Sequence, residues 1–395
     1  MKALVLGYGR SGKAAEALLK AQGAETVVLV DDARDGLGDG DFDFAVVSPG
    51  IALTHPWVVE AKRRGIPLKS ELQLGCEELK RQGWKLLAVT GSKGKSSVVK
   101  VVADAINLSG GYAVACGNYG IPVSEVAGRR GQGSGIGDQK WAVVEVSSFM
   151  METTELSADT FEAAAILNLQ EDHLDRHGSV EVYHGLKRKL ISFAQRGLGP
   201  DATGMSRPLW TGSYFDNEIL AGNAAMAVEL MRVAGLDDAM IVRAFREFEP
   251  LPHRMNLVAE VDGVRYIDDS KATSVAALIA GVKMASTGTQ TILLVAGGLP
   301  KGDDPKTALP ALTERVKKVY LIGQSAEAFF AAWNGAVDCE ICGTMDKAVE
   351  TAKREAEKGE TVLLSPGTAS FDQFQSYGER GDVFARLVKE KGQPK

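Results

Sequence analysis

The feature that most restricts what this chain can become is a unit repeated almost throughout: a short apolar run, a glycine turn, then an amphipathic stretch. KALVLG at 2–7 is followed by a helical pattern over Ser11–Gln22, then by TVVLVDD and FAVVSPG. A second series starts at Gly83 with WKLLAVTG, a helical pattern from Lys95, YAVACG, WAVVEVSS, AAAILNL and a helix through Tyr183 to Phe193. A third follows LPHR at 251–254 and carries GVRYIDD, TILLVAGG, KVYLIG and TVLLSPG between amphipathic segments. Apolar runs this short, alternating with helical patterns, predict α/β domains built on parallel sheets. With 395 residues there is room for two or three domains. The breaks fall near 83 and 250, giving 1–83, 84–250 and 251–395. Segments 129–140 and 196–213 read as loops.

Composition matters here mainly for what it excludes. The net charge of −6 leaves no basic face for a nucleic-acid backbone, so no nucleic-acid partner is expected. No apolar run reaches the ~20 residues that span a bilayer, so no membrane insertion is expected either. Four cysteines are too few for a disulfide scaffold, and Cys339 and Cys342 lie in an apolar, strand-like run that favours a buried structural role over a redox or metal pair. A reducing cytoplasm fits. The outlier is glycine, 44 residues where about 7% is usual, which points to tight turns and close backbone approach to phosphates.

Two glycine loops lie at strand–helix junctions. Gly7-Tyr8-Gly9-Arg10-Ser11-Gly12, with Asp31 closing the next strand, matches a dinucleotide fingerprint; NAD is the default ligand, but any nucleotide diphosphate satisfies the same physics. The second, Gly91-Ser92-Lys93-Gly94-Lys95-Ser96-Ser97, is the more specific. Successive backbone N–H groups wrap a phosphate, Lys95 reaches a terminal phosphate, and a serine hydroxyl ligates magnesium. Val89 stands where a full phosphate-loop motif has its first glycine. Two such loops favour a nucleotide-using transferase or ligase over a dehydrogenase.

Acids and histidines follow. Glu145 ends an apolar strand beside the second loop, where either a magnesium ligand or a solvated strand-end acid belongs. The run NLQEDHLD at 168–175 allows a second cation site around His173 or a helix start with dipole-compensating acids. His177 and His184 read as surface residues, and Lys187, Arg188 and Lys189 as a solvated helix face.

Taken in order, TGSKGKSS, VVEVSSF, NLQEDHLDRHG, YHGLK, LPHRM, DDSKATS and SPGTASFDQF resemble the Mur ligases, and DSKAT with SPGTASFDQF is closest to the members that add D-glutamate. The resemblance covers all three predicted domains. It implies a Rossmann-like first domain that binds a UDP-linked substrate, a central phosphate-loop ATPase-type domain and a Rossmann-like third domain that binds the amino acid. The implied reaction activates the carboxylate of UDP-N-acetylmuramoyl-L-alanine with ATP to an acyl phosphate, which the glutamate amine attacks. The implied enzyme is monomeric and cytoplasmic, and serves peptidoglycan precursor synthesis.

By position, the resemblance assigns ATP binding to residues 91–97 with Asn223 and Arg254, and magnesium, two ions, to Ser96, Glu145, His173 and Lys187. Lys187 serves there as a carbamate, the lysine being carbamylated in this family. Lys95, His173, Lys187, His253 and Lys271 become the catalytic set. Ser11, Asp31, Asn118 and Ser147 would bind the UDP substrate, which reassigns the first glycine loop from NAD to UDP. Lys271, Thr273, Lys301, Ser370, Phe371 and Tyr377 would bind the amino acid. The chain also departs from the family. LAGNAAMA at 220–227 lacks a His-Asn pair that serves the adenine side of the ATP site and keeps only Asn223. Met150, Ser274, Leu299 and Pro300 replace common polar residues, and Tyr377 stands where phenylalanine is common. A ligase for L-glutamate or another amino acid, a folate-type glutamate ligase and a catalytically silent UDP-sugar or nucleotide binder are the competing readings. A folate-type enzyme should lack the UDP domain and SPGTASFDQF, and a silent binder would not need Lys95, Glu145, His173 and Lys187 together.

Overall fold

A computed structural model of the chain describes residues 1–29, 36–129, 139–200 and 209–390. The chain forms two compact units, Met1–Phe248 and Glu249–Lys395. The first carries two sheets. β1 (Lys2–Leu6), β2 (Glu25–Leu29), β3 (Phe44–Val47) and β4 (Leu68–Ser70) pair in the order β2-β1-β3-β4, all parallel. β5 (Lys85–Thr90), β6 (Tyr112–Gly117), β7 (Lys140–Glu145), β8 (Phe161–Ile166) and β9 (Ala194–Leu198) pair in the order β6-β7-β5-β8-β9, also all parallel. The α/β expectation holds. Central strands such as β5 and β7 are buried along nearly their whole length, because helices cover both faces of a parallel sheet.

Part of the segment expected to be irregular, 196–213, is regular: β9 continues to Leu198 at the sheet edge. Residues 201–208, like most of the expected loop 129–140, lie outside the described residues. The helix predicted through Tyr183 to Phe193 forms over Val180–Lys189 and tightens to a 3₁₀ turn at Leu190–Phe193.

One apolar core runs through both sheets of this unit, from Val5 and Leu18 past Leu72 and Leu79 to Leu86, Val144 and Phe161. The Glu71–Arg81 helix is central to it, starting at Ser70, whose hydroxyl caps Gln73 N–H at 2.9 Å. Its Gly75 lies against the start of the Val123–Gly128 helix, where a Cβ would stand 2.6 Å from Ser124 N and 2.7 Å from Val123 C. The carboxyl of Glu71, wholly buried and pushed up to about 7 by that burial, accepts from Ser124 N–H at 2.6 Å.

The second unit holds β10 (Asn256–Val261), β11 (Val264–Asp268), β12 (Ile292–Gly297), β13 (Val316–Ile322), β14 (Asp338–Gly343) and β15 (Thr361–Leu364), in the order β10-β11-β15-β12-β13-β14. Only β10 runs antiparallel. Cys339 and Cys342 lie on β14 as free thiols, Cys342 buried and Cys339 partly so, both pushed up to about 11 by burial. Among the described residues no helix is long and apolar enough to cross a membrane.

Overpacking a core typically costs 1–3 kcal/mol, more than the ~1 kcal/mol a helix gains when alanine replaces glycine. Gly75→Ala should therefore lower the urea-unfolding free energy, by up to about 2 kcal/mol. Gly185→Ala, in the Val180–Lys189 helix with open space at its Cβ, should raise it by about 0.5–1 kcal/mol. Equal effects of the two substitutions would contradict the close helix contact.

Candidate active site

The second glycine loop leaves β5 at Thr90, whose hydroxyl donates to Val146 O at 2.8 Å. Gly94, at φ 84°, caps the Lys95–Leu108 helix in the left-handed region, and a side chain there would meet Asn223 Nδ2 at 2.0 Å. Asn168 fixes the loop: its Oδ1 accepts from Lys93 N–H at 2.9 Å, and its Nδ2 donates to Lys93 O at 2.9 Å and to Asn223 Oδ1 at 3.4 Å. Ser92 Oγ donates to Gln170 O at 2.9 Å and accepts from Tyr183 OH at 3.2 Å. Asn168 and Tyr183 were both in plain view, inside NLQEDHLD and YHGLK, but nothing in their spacing marked them as loop supports.

Two ammonium groups meet at this loop. Lys95 Nζ donates to Gly91 O at 2.8 Å and to Ser92 O at 3.1 Å; Lys187 Nζ donates to the same Gly91 O at 2.8 Å. The local reading of Lys187 as solvated is overturned. Its side chain is 1% exposed and lies 4.5 Å from the Tyr183 ring centroid. The helix turns this lysine inward, while Arg188 stays exposed. Burial, reinforced by the Lys95 charge, pushes the Lys187 ammonium down to about 7.

Glu145 is also buried, against the solvated alternative. Its Oε1 accepts from Asn118 Nδ2 at 2.7 Å, while its Oε2 is buried with no hydrogen-bond partner. An orphaned carboxylate oxygen beside a phosphate-type loop fits a cation. Ser96 lies in the first turn of the Lys95–Leu108 helix, partly exposed, and Ser97 is buried behind it. His173 caps the short Leu174–His177 helix at φ 53°, with its ring 4.9 Å from Phe149 and its side chain 47% exposed. Among the described residues no three His, Cys, Asp or Glu side chains converge; the carboxylate beside His173 is Asp172, 3.7 Å from its Nε2.

The surface reading of His177 fails as well. It is buried, with Nε2 3.0 Å from Ser148 Oγ, Nδ1 3.4 Å from Glu152 and its ring stacked on Tyr183 at 5.6 Å. Burial holds it below the usual histidine range. His184 is partly exposed, 3.4 Å from Gln170 O.

The first glycine loop and the central sheet share a cavity of about 520 Å³, lined by Gly9, Ser11, Ser48 and Ile51 on one side and Asn118 and Met150 on the other. Arg10 crosses to Gly120 O at 2.7 Å. Arg176, which sequence reasoning passed over, donates to Ile51 O at 2.8 Å while gripping Glu152 with two nitrogens at 2.7 and 3.0 Å. Ser147 caps the Ser148–Met151 helix by accepting from Met150 N–H at 3.3 Å. Asp31 lies outside the described residues.

In the second unit, Lys271 Nζ stands 3.9 Å from the Tyr377 ring centroid, and His253 lies 6.2 Å from the same ring. Lys301 Nζ reaches Thr273 Oγ1 at 3.5 Å. The loops bearing Lys301 and Ser370 are joined by paired bonds between Leu299 and Ala369. Arg380, fully buried, donates to Ser270 O, Thr368 O and Ala369 O and so ties the Lys271 and Ser370 segments together. Ser370 is buried, Phe371 is 69% exposed, and Arg254 donates its backbone N–H to Asn256 Oδ1 at 3.0 Å.

The chain is similar to known proteins along nearly its whole length. Residues 89–198 match the Mur ligase middle domain and residues 253–367 the Mur ligase glutamate ligase domain. A UDP-N-acetylmuramoylalanine–D-glutamate ligase of Chlamydia caviae is 31% identical, covering 98% of this chain and 97% of that protein. The ligase of the same name from Acidobacterium capsulatum is 33% identical, over 98% and 96%. In fold, the chain is similar to the MurF ligase from Thermotoga maritima solved in complex with ADP, with a TM-score of 0.59, 14% identity and coverage of 91% and 97%.

The buried lysine makes stability depend on pH. Its folded value lies near 7 and its ordinary one at 10.5, so between them the unfolded chain binds the extra proton and stability rises with pH. Lys187→Met should remove up to about 1.4 kcal/mol per pH unit of that rise, read from urea unfolding at pH 7, 8 and 9 in CO2-free buffer. An unchanged slope would place the lysine in contact with water.

Proposed function

The chain belongs to the Mur ligase family, and on that premise we propose that it joins D-glutamate to UDP-N-acetylmuramoyl-L-alanine at the expense of ATP, through an acyl phosphate. The observation that carries this reading is the end-to-end match to D-glutamate ligases, together with the meeting of Lys95, Lys187 and Gly91 O at the phosphate-type loop. We assign the nucleotide loop and central sheet to 84–250, the UDP-substrate region to 1–83 and the amino-acid region to 251–395. The reaction belongs to peptidoglycan precursor synthesis, and we place a monomeric enzyme in the cytoplasm.

The loop N–H groups at 91–97 cradle the phosphates of ATP. Lys95 donates to the Gly91 and Ser92 carbonyl oxygens; a terminal phosphate would offer it a charged acceptor instead, and the charge developing during transfer would strengthen that contact. Asn168 and Asn223 keep Gly94 and Lys93 in place for this. Arg254 would add a further cation for the nucleotide. Ser96, the orphaned Glu145 oxygen and His173 would hold magnesium, which when bound neutralises phosphoryl charge. Lys187, lowered to about 7, holds a substantial fraction of neutral amine near neutrality, the form that reacts with CO2. As a carbamate it would add an anionic magnesium ligand to Ser96, Glu145 and His173.

The 520 Å³ cavity, with Ser11 and Asn118 on opposite walls and Ser147 nearby in sequence to Met150, is the proposed UDP-substrate site, with Asp31 carried from sequence alone. In the second unit Lys271, Thr273 and Lys301 would pair with the carboxylates of glutamate, Ser370, Phe371 and Tyr377 would shape its pocket, and His253 would face its amine.

Phosphate release from ATP in the presence of UDP-N-acetylmuramoyl-L-alanine tests the reading. D-Glutamate should stimulate it, and L-glutamate and meso-diaminopimelate should do so at least about tenfold less. No amino-acid-dependent release rejects the ligase; a preference for L-glutamate rejects the D-specific assignment. Lys187→Ala should lose activity on the order of 100-fold or more and recover in part with added short carboxylates. A ¹³C-bicarbonate carbamate signal present in the unmodified protein and absent from that variant would support the modification; full activity of the variant would rule it out. Calorimetry on the whole chain should detect UDP-substrate binding and no NAD binding.

A further inference from the structure

His253 takes a left-handed backbone conformation that non-glycine residues avoid, φ 61°. Several contacts hold it there. Its carbonyl accepts from Lys271 N–H at 3.0 Å, and its Nδ1 lies 2.7 Å from Asp268 Oδ2. Asp268 is itself buried, and its other oxygen accepts from Ser270 N–H at 2.8 Å. The ring lies along the Tyr377–Lys389 helix, where Gly378 and Gly381 present no side chain. A Cβ on Gly381 would stand 2.2 Å from His253 Nδ1 and 2.6 Å from Asp268 Oδ2; one on Gly378 would come 3.8 Å from His253 Nε2. Glycine is unfavourable in a helix interior, and at position 381 the space it leaves is filled by this pair.

An ionised carboxylate only accepts, so in the neutral imidazole this contact favours the proton on Nδ1 and the lone pair on Nε2. The other groups that face the ring are the Tyr377 aromatic face and Asp382, whose Oδ1 is 3.9 Å from Nε2 on a largely exposed side chain; Lys271 approaches through its backbone. Arg380 is the buried cation that acts on Asp268 from the same helix. Nothing among these competes with Asp268 for Nδ1.

We infer that Asp268 is a positioning residue which, with the glycine face of the Tyr377–Lys389 helix, locks His253 in the Nδ1–H tautomer so that Nε2 takes the proton shed by the incoming amino-acid nitrogen. The inference rests on the proposed ligase reading of His253. As the nitrogen lone pair forms the new C–N bond at the acyl carbon, the N–H proton passes to Nε2, and the C–O electron pair leaves with phosphate. Asp268 stabilises the imidazolium so formed.

Two measurements on the full chain test this. In ¹⁵N-histidine NMR, with the His253 signal assigned through His253→Gln, the unmodified protein should show the Nδ1–H tautomer, and Asp268→Ala and Gly381→Ala should lose it. An Nε2–H tautomer in the unmodified protein overturns the lock without any variant having to fold. In D-glutamate-dependent phosphate release, Asp268→Ala should lower kcat on the order of 10- to 100-fold with KM for glutamate within about twofold. Asp268→Asn should restore part of kcat and move the acid limb of the pH–rate profile to lower pH, because the neutral amide no longer favours the imidazolium. A loss of kcat with an unmoved acid limb would make Asp268 merely structural. Full activity of His253→Ala would end the proton-transfer role, and absence of ligase activity with any amino acid would end the ligase reading; the NMR result judges the tautomer lock in either case.

Discussion

The carbonyl oxygen of Gly91 accepts hydrogen bonds from two lysine ammonium groups, and most of what is unusual in the first unit is arranged around that fact. Carbonyl oxygens are neutral acceptors and Lys187 is fully buried, so an added anion would be favourable here. Burial and the Lys95 charge act on Lys187 in the same direction, toward the neutral amine. Glu145 is the complementary defect: an acid with one oxygen tied to Asn118 and the other left without a partner. That buried oxygen, on the strand next to the glycine loop, is an atom to which a cation is well suited.

The same network reaches the 520 Å³ cavity through short links. Asn118 joins Glu145 to the cavity wall. Arg176, on the segment that also carries His173, holds the Ile51 carbonyl on the opposite wall while its charge is balanced by Glu152. His177 connects Glu152 to the Tyr183 ring, and Tyr183 returns to Ser92 in the glycine loop. These side chains are packed and hydrogen-bonded, so a displacement of the 48–51 loop has few ways to be absorbed locally.

Much of this was legible in sequence, and the failures have physical causes. Parallel strands buried on both faces read as unbroken apolar runs, so β1, β5, β7 and β12 announce themselves; so do glycine loops at their ends. Lys187 and His177 could not be placed that way. Polar residues on an amphipathic helix look solvated, and only tertiary packing shows which one turns inward to a carbonyl or a buried glutamate. Asn168 and Arg176 act through partners distant in sequence, which composition and spacing do not encode. The resemblance supplied Lys187 where local reasoning had dismissed it, but it said nothing of the bonds that hold it.

The antiparallel strand explains why a site can be assembled in the second unit at all. In parallel sheets, loops after the carboxyl ends of strands converge on one edge. Lys271 follows β11, Lys301 follows β12 and Ser370 follows β15, so all three arrive there by the ordinary rule. His253 precedes its strand, and before a parallel strand it would stand at the opposite edge. Because β10 runs the other way, Asn256 at its start pairs with Asp268 at the end of β11, and the residue just before β10 is delivered to the same edge as DSKAT. The reversal of one edge strand thus places the imidazole against the Asp268 carboxylate, and the left-handed backbone of His253 is the local strain accepted for that placement. Strand direction is invisible in an apolar run of six residues, so LPHR and DDSKAT, plain in the sequence, gave no hint that they meet.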